Sequence, residues 1–244
     1  MDKRLKRYKE ASKAFIDREK LNEDVIGIIV AGSIVHSRLD KNSDIDIHVI
    51  LGPDCDYRER GNTWIDGIEV EYFKNPPAQI VVYFEREKAS PHTAHMLAHG
   101  HIAYSVSPIV DELVSTARAI IDEVPPALKP HELEFEKYFL DDYYKDLEDA
   151  MVNGDMLGTT LIRYKIVNKS IDVFCKTHQL RRGKDKRLGE QLGKVDVAFA
   201  EAVRHALGED WAETGDILAL RVAAERLLGG GRSLEWGLRS LLDL

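Results

Sequence analysis

Cysteine is nearly missing from this chain of 244 residues: Cys55 and Cys175 stand far apart, in no Cys-x-x-Cys spacing. That excludes a disulfide framework and a thiolate-bound structural zinc, and it fits a reducing compartment. Long apolar runs are missing too. No stretch approaches the roughly 18–20 apolar residues of a membrane span, and the opening MDKRLKRYKEASKAFIDREK lacks the apolar centre of a secretory leader. The expectation is a cytoplasmic protein with no membrane association. Excess positive charge is the third absence: 34 Lys and Arg against 42 Asp and Glu leave a formal net charge of −8. Such a charge repels a phosphodiester backbone and speaks against a nucleic-acid partner. Internal repeats and low-complexity segments are also absent.

What is present is the composition of a globular protein, 44% hydrophobic and 31% charged. A chain this long suits two ordinary domains. Leu5, Tyr8, Ala11, Ala14 and Phe15 recur at helical spacing and predict a docking helix at the start. From Val25 to about Tyr104 the texture is mixed, with an apolar run (Val25–Ala31), period-two alternation (Asp44–Val49, Ile68–Phe73) and turn signals GPD, RGN and KNPP. PAQIVVYFEREKASPHTAHMLAHG predicts two helices split near SPH, and HIAYSV a short strand. SPIVDELVSTARAII predicts a helix with Ser107 as N-cap and Pro108 at its first position. Pro125, Pro126 and Pro130 crowd six residues and mark a boundary. Beyond it every stretch reads as helix, about five in all, the last being SLEWGLRSLLDL after the GGG stop at 229–231. The expected fold class is α+β: a domain over residues 1–124 with a mixed sheet flanked by helices, then an all-helical bundle over 125–244 closing a cleft.

The chemistry is concentrated in IVAGSIVHSRLDKNSDIDIHVI. On a strand, Asp44, Asp46 and His48 share one face while Ile45, Ile47 and Val49 share the other. Two adjacent carboxylates repel unless a cation lies between them. An exposed edge strand carrying polar residues outward would look similar. Hard oxygen donors without nearby thiolates point to Mg²⁺, or Mn²⁺, as that cation. Gly32 permits close backbone approach, and Ser33, expected to open a helix, offers a hydroxyl and backbone N–H groups to a phosphate. In GIEVEYF, Glu69 and Glu71 again share one face, and either could complete a three-carboxylate cluster.

The order Gly-Ser, ten residues, Asp-x-Asp between apolar residues, then apolar-Glu-apolar resembles the DNA polymerase β nucleotidyltransferase superfamily. Within it, the succession of GIEVEYF, a helix and HGHIAYSVSPIVDEL is most similar to small bacterial nucleotidyltransferases of the aminoglycoside, kanamycin-type group. The resemblance covers residues 25–120, and beyond 130 only the helical character. It implies Mg²⁺-dependent transfer of a nucleoside monophosphate, AMP from ATP, to a hydroxyl of a small molecule such as an aminoglycoside antibiotic, with pyrophosphate released. It implies Gly32 and Ser33 on the triphosphate, and Asp44, Asp46 and Glu69 on the metals. Glu69 is preferred over Glu71 because Ile-Glu-Val fits the third motif better. In such enzymes an acid of the helical domain serves as base in a dimer. FLDDYYKDLED offers Asp141, Asp142, Asp146 and Glu148, of which Asp142 is chosen, and a homodimer is the matching expectation.

Cations for the nucleotide are sought in the helical half. Lys165 and Lys169, four apart, share a helix face, and Lys184 lies in the loop RRGKDKR; a solvated basic face is the plainer account of all three. Arg38 and Ser43 are candidates for phosphate or for bracing the loop. His95 and His99 align on one helical face, yet no glutamate stands in the HExxH place, and packed or surface histidines are the simpler account. His48 is expected to fill the space beside the carboxylates. The rival readings are a nucleotidyltransferase acting on a protein or a tRNA end, as in toxin–antitoxin systems, and a non-catalytic nucleotide-binding relative.

Overall fold

A computed structural model describes residues 3–88, 90–208, 214–237 and 239. The chain divides into two compact units, one ending at Glu123 and the other beginning at Val124. In the first, helix α1 (Lys3–Glu19) is followed by strands β1 (Val25–Ala31), β2 (Ile45–Leu51), β3 (Glu59–Ile65) and β4 (Ile68–Asn75). Then come α2 (Pro77–Arg86), α3 (His92–His99), β5 (His101–Ser105) and α4 (Pro108–Asp122). The strands form one sheet in the order β3-β4-β2-β1-β5. It is mixed, because β2 and β4 run parallel while the other neighbours are antiparallel.

Alternation divides the sheet into two faces. Ile45, Ile47, Val49 and Val70 turn to one side and pack with Tyr8, Ala11 and Phe15 of α1. Ile29 and Ile50 turn to the other and pack with Ile80 and Phe84 of α2, Leu97 of α3 and Val110 of α4. Each fully buried side chain of this kind contributes about 1.5–3 kcal/mol. Helix α4 starts as its residues direct: the Ser107 hydroxyl accepts from the Ile109 N–H, and Pro108 follows.

Two local expectations are corrected in this unit. RGN is no turn, for it lies inside β3. The turn sits at Asp66–Gly67, with φ of 51° and 72°, a two-residue hairpin connection suited to a right-twisted ladder. The expected helix after Gly32 is replaced by turns at residues 33–37. The β-branched Ile34 and Val35 favour a helix weakly, and Ser37 at φ 55° stops one.

The second unit holds α5 (Pro130–Val152), α6 (Met156–Thr177), α7 (Leu188–Val195), α8 (Val197–Ala206) and α9 (Thr214–Leu227). Leu140, Tyr144, Ile166, Phe174, Phe199 and Leu220 centre its core. The Tyr144 hydroxyl donates to the Ile217 carbonyl at 3.0 Å, tying α5 to α9. Helix α7 was not foreseen. Residues 233–237 form no helix, and the remainder of the expected last helix, apart from 239, lies outside the described residues. No described helix is long and apolar enough to cross a membrane.

Candidate functional site

Strand pairing decides which acids meet. Antiparallel pairing sets Ala31 of β1 beside Asp46 of β2, and parallel pairing sets Asp46 beside Glu71 of β4. Asp44 sits just before β2. Oxygen atoms of Asp44, Asp46 and Glu71 lie within 4.8 Å of one another, each on a partly buried side chain. Among the described residues this is the one group of three or more His, Cys, Asp or Glu side chains gathered so closely.

The third acid expected at Glu69 is therefore replaced in the cluster by Glu71. Glu69 shares the face, because the two are two residues apart on one strand, but it stands one step further along. Its Oε1 accepts a hydrogen bond of 2.6 Å from Asn62 Nδ2 on β3. Glu71 Oε1 accepts from Arg60 at 2.6 and 3.2 Å, so a cation already neutralises part of the cluster's charge. The Arg60 guanidinium rests 4.9 Å from the centre of the Phe73 ring, which stacks on His48 at 4.9 Å.

Gly32 closes the site from the β1 side. Its φ is +76°, and a Cβ there would run into Asp46 Oδ2. Only glycine combines that backbone with that approach. Ser33 stands in the turn, with its carbonyl accepting from Arg38 N–H at 3.0 Å. Ser43, a candidate for phosphate or for bracing the loop, makes two bracing bonds: its hydroxyl accepts from Asp40 N–H at 2.7 Å, and its carbonyl accepts from the Tyr8 hydroxyl at 2.7 Å. That brace fixes the backbone immediately before Asp44.

His48 lies on the acidic face, as its position two residues from Asp46 requires, but it is buried rather than poised. Burial, with the nearby His92 adding, pushes its imidazole down to about 4, so the ring is neutral at pH 7. Among the described residues, its Nε2 has no hydrogen-bond partner. His95 and His99 are exposed neighbours on α3 with ring centres 4.3 Å apart, and His99 Nδ1 lies 2.9 Å from the His95 carbonyl. Neither joins a three-ligand group among the described residues.

The remaining candidates belong to the second unit. Asp142 is half-buried on α5, while its neighbour Asp141 meets Lys145 at 2.7 Å and both Arg221 and Arg232 at 3.1 Å. Lys169 is committed within the unit: its ammonium lies 2.5 Å from Glu136, which also holds Lys176 at 2.7 Å. Lys165 is exposed, 4.8 Å from the centre of the Tyr143 ring. Lys184 is exposed just before the short turn Asp185–Arg187. Reading the sequence missed Arg60, Asn62 and Trp64, which β3 brings to the acidic face. The Asp-Gly pair at 66–67 was the signal that could have found them.

Three carboxylates gathered at one end of a sheet, with a glycine allowing close approach on one side, suit a divalent cation. The oxygen donors match Mg²⁺ or Mn²⁺ and leave the softer metals without thiolate or imidazole ligands. Residues 9–100 match the family model of the nucleotidyltransferase domain. Curated protein sequences give no match. Among solved structures, the chain is similar to a nucleotidyltransferase-like protein from Exiguobacterium sibiricum, at 14% identity and a TM-score of 0.51, covering 90% of this chain and 74% of that one. Residues 9–100 thus carry the sequence signature of a nucleotidyltransferase domain, in a chain whose fold is similar to that of a nucleotidyltransferase-like protein.

Proposed function

We propose that the protein transfers a nucleoside monophosphate from a nucleoside triphosphate, ATP being the first choice, to a hydroxyl of a small molecule, releasing pyrophosphate. The observation that carries this reading is the gathering of Asp44, Asp46 and Glu71 within 4.8 Å beside Gly32. Asp44, Asp46 and Glu71 would hold Mg²⁺, which in such a site stabilises charge on the phosphates and eases loss of the acceptor's proton. Gly32 and Ser33 bring backbone close to the donor's phosphates. Arg60 pairs with Glu71 at the edge of the cluster and offsets part of its negative charge.

Acceptor chemistry is the finer part of the proposal. Acidic side chains around the site favour a cationic acceptor, an aminoglycoside-like antibiotic being the leading class. Asp142 remains the proposed base and a homodimer the proposed assembly, both from the family resemblance. Lys165 and Lys184 are the cations we propose for the nucleotide. Lys169 is not among them, since Glu136 holds it.

The test is pyrophosphate release with Mg²⁺ and each of four ribonucleoside triphosphates against aminoglycosides, lincosamides and other hydroxylated small molecules, with Asp46→Asn as control. We expect release that requires one acceptor class and disappears in Asp46→Asn, while the variant's metal-free melting temperature stays level or rises, because one of three gathered carboxylates is gone. Nucleotide binding without release across the panel would shift the acceptor to a protein or RNA end. Absence of both would leave a non-catalytic relative.

A further inference from the structure

The sheet carries a polar and aromatic patch that the cluster does not use. On β3, Arg60, Asn62 and Trp64 share one face, and their cross-strand partners on β4 are Phe73, Glu71 and Glu69. This is the face of Asp46, since Asp46 pairs with Glu71. Gly61, Thr63 and Ile65 alternate to the opposite side. Trp64 is 64% exposed, although an indole this large is normally covered. Beside it, Asn62 Nδ2 donates to Glu69 Oε1 at 2.6 Å, a bond that leaves the Asn62 carbonyl oxygen and the second Glu69 oxygen as acceptors. An exposed indole flanked by such a pair is a surface on which a ring can lie while its substituents are held at the edge.

The order of the strands says which reactant meets this surface, taking the transfer reading above as given. Gly32 and Ser33 follow β1 and lie on the β1 side of Asp46, whereas β4 and then β3 lie on the other side. Phosphoryl transfer places the attacking and leaving oxygens on opposite sides of the phosphorus. With the departing pyrophosphate held at Gly32 and Ser33, the attacking hydroxyl comes from the side of β4 and β3. Two strand spacings, about 10 Å, separate β2 from β3, within the reach of a small molecule of one or two rings.

We propose that Trp64, Asn62 and Glu69 form the acceptor subsite, and that the acceptor is a ring-bearing amine. Its ring lies on the Trp64 indole, its ammonium meets Glu69, and its reactive hydroxyl points toward Glu71 and Asp46. Glu69 stands outside the cluster of Asp44, Asp46 and Glu71, and its second oxygen faces no partner in the Asn62 bond, which leaves it for a cation. The indole adds attraction for the same positive charge. A neutral or anionic acceptor would gain nothing from this pairing.

Two measurements on the full chain test it. The first is saturation-transfer NMR with glucosamine and a three-ring aminoglycoside as probes. The ring protons of at least one probe should receive saturation from the wild type, lose most of it with Trp64→Ala and keep it with Trp64→Phe. Equal transfer with Trp64→Ala, or none with the wild type, overturns the subsite. The second is steady-state transfer: Trp64→Ala should raise KM for the acceptor roughly tenfold, as expected for a lost stacking surface, and leave KM for the nucleotide within about twofold. A rise in the nucleotide's KM instead would make Trp64 a base platform and overturn the proposal. Turnover with an unchanged acceptor KM would retire the subsite and keep the transferase. Probe binding that depends on Trp64, without any pyrophosphate release, would retire the transferase and keep the subsite.

Discussion

Glu69 and Glu71 show what one side chain's position can decide. Both project from the same face of β4, so alternation along the strand cannot choose between them. The choice is made by pairing register, which sets Glu71 beside Asp46. Asp44 and Asp46, by contrast, were legible from the sequence because they and their apolar neighbours alternate within one segment. Register depends on which residue of a distant strand is the partner, and no local pattern states it. The expected consequence is an asymmetry between two conservative variants. Glu71→Gln should lower kcat by at least about a hundredfold, the scale of losing one directly acting polar group. Glu69→Gln should leave kcat within a few-fold and act on the acceptor's KM. Steady-state kinetics at saturating Mg²⁺ separate them, and the reverse ranking would restore Glu69 to the metal. Gly32 was also legible, but its reason was not: the sequence suggests room for phosphate, while the structure shows that a side chain there would strike Asp46.

At the scale of elements, α1 was readable from its apolar spacing, and α4 from its spacing and its Ser107 cap. The hairpin strand β3 was not. As an edge strand with an exposed face it lacks the apolar signature of β1, and its Arg-Gly-Asn run mimics a turn. Helix packing in the second unit hides its information in the same way. Glu136, only 6% exposed on α5, looks in the sequence like one acid among many. In the fold it holds Lys169 and Lys176 of α6. Burial alone would push its carboxyl up, but the two ammoniums outweigh that and hold it below the ordinary glutamate value. A carboxyl lowered on folding stabilises the native state above the unfolded value, about 4.3, and that contribution is lost as pH falls through the folded value. Glu136→Gln should therefore cost about 1–3 kcal/mol at pH 7, the scale of a buried charged hydrogen-bond partner removed. The deficit should begin to shrink as pH falls below the ordinary glutamate value, about 4.3, and shrink further as it passes the lowered value of the folded carboxyl. Thermal melts of both proteins from pH 7 to pH 3 check the sign. A deficit independent of pH would mean that shape, not charge, is what Glu136 supplies.

For the molecule as a whole, the segment joining the two compact units carries the proline cluster. Residues 124–129, between α4 and α5, form no regular structure, and Val124 is 66% exposed. The buried clusters of the first unit draw on residues before 124, and the core of the second on residues after it. Each unit therefore has its own apolar interior, the ordinary condition for separate cooperative folding. A protease needs an extended, exposed segment, which the helices flanking this stretch deny and the stretch itself provides. Pro125, Pro126 and Pro130 restrict which enzyme succeeds. The bond after Lys129 precedes Pro130 and resists trypsin, while Ala127–Leu128 is open to elastase. Brief elastase treatment should give two halves of nearly equal size, divided within 124–129, and trypsin should spare the same segment. Intact mass of the first fragments reads the result directly. Initial elastase cuts inside α1, α4, α5 or α6 would mean that those helices open more readily than the linker, and that the boundary lies elsewhere.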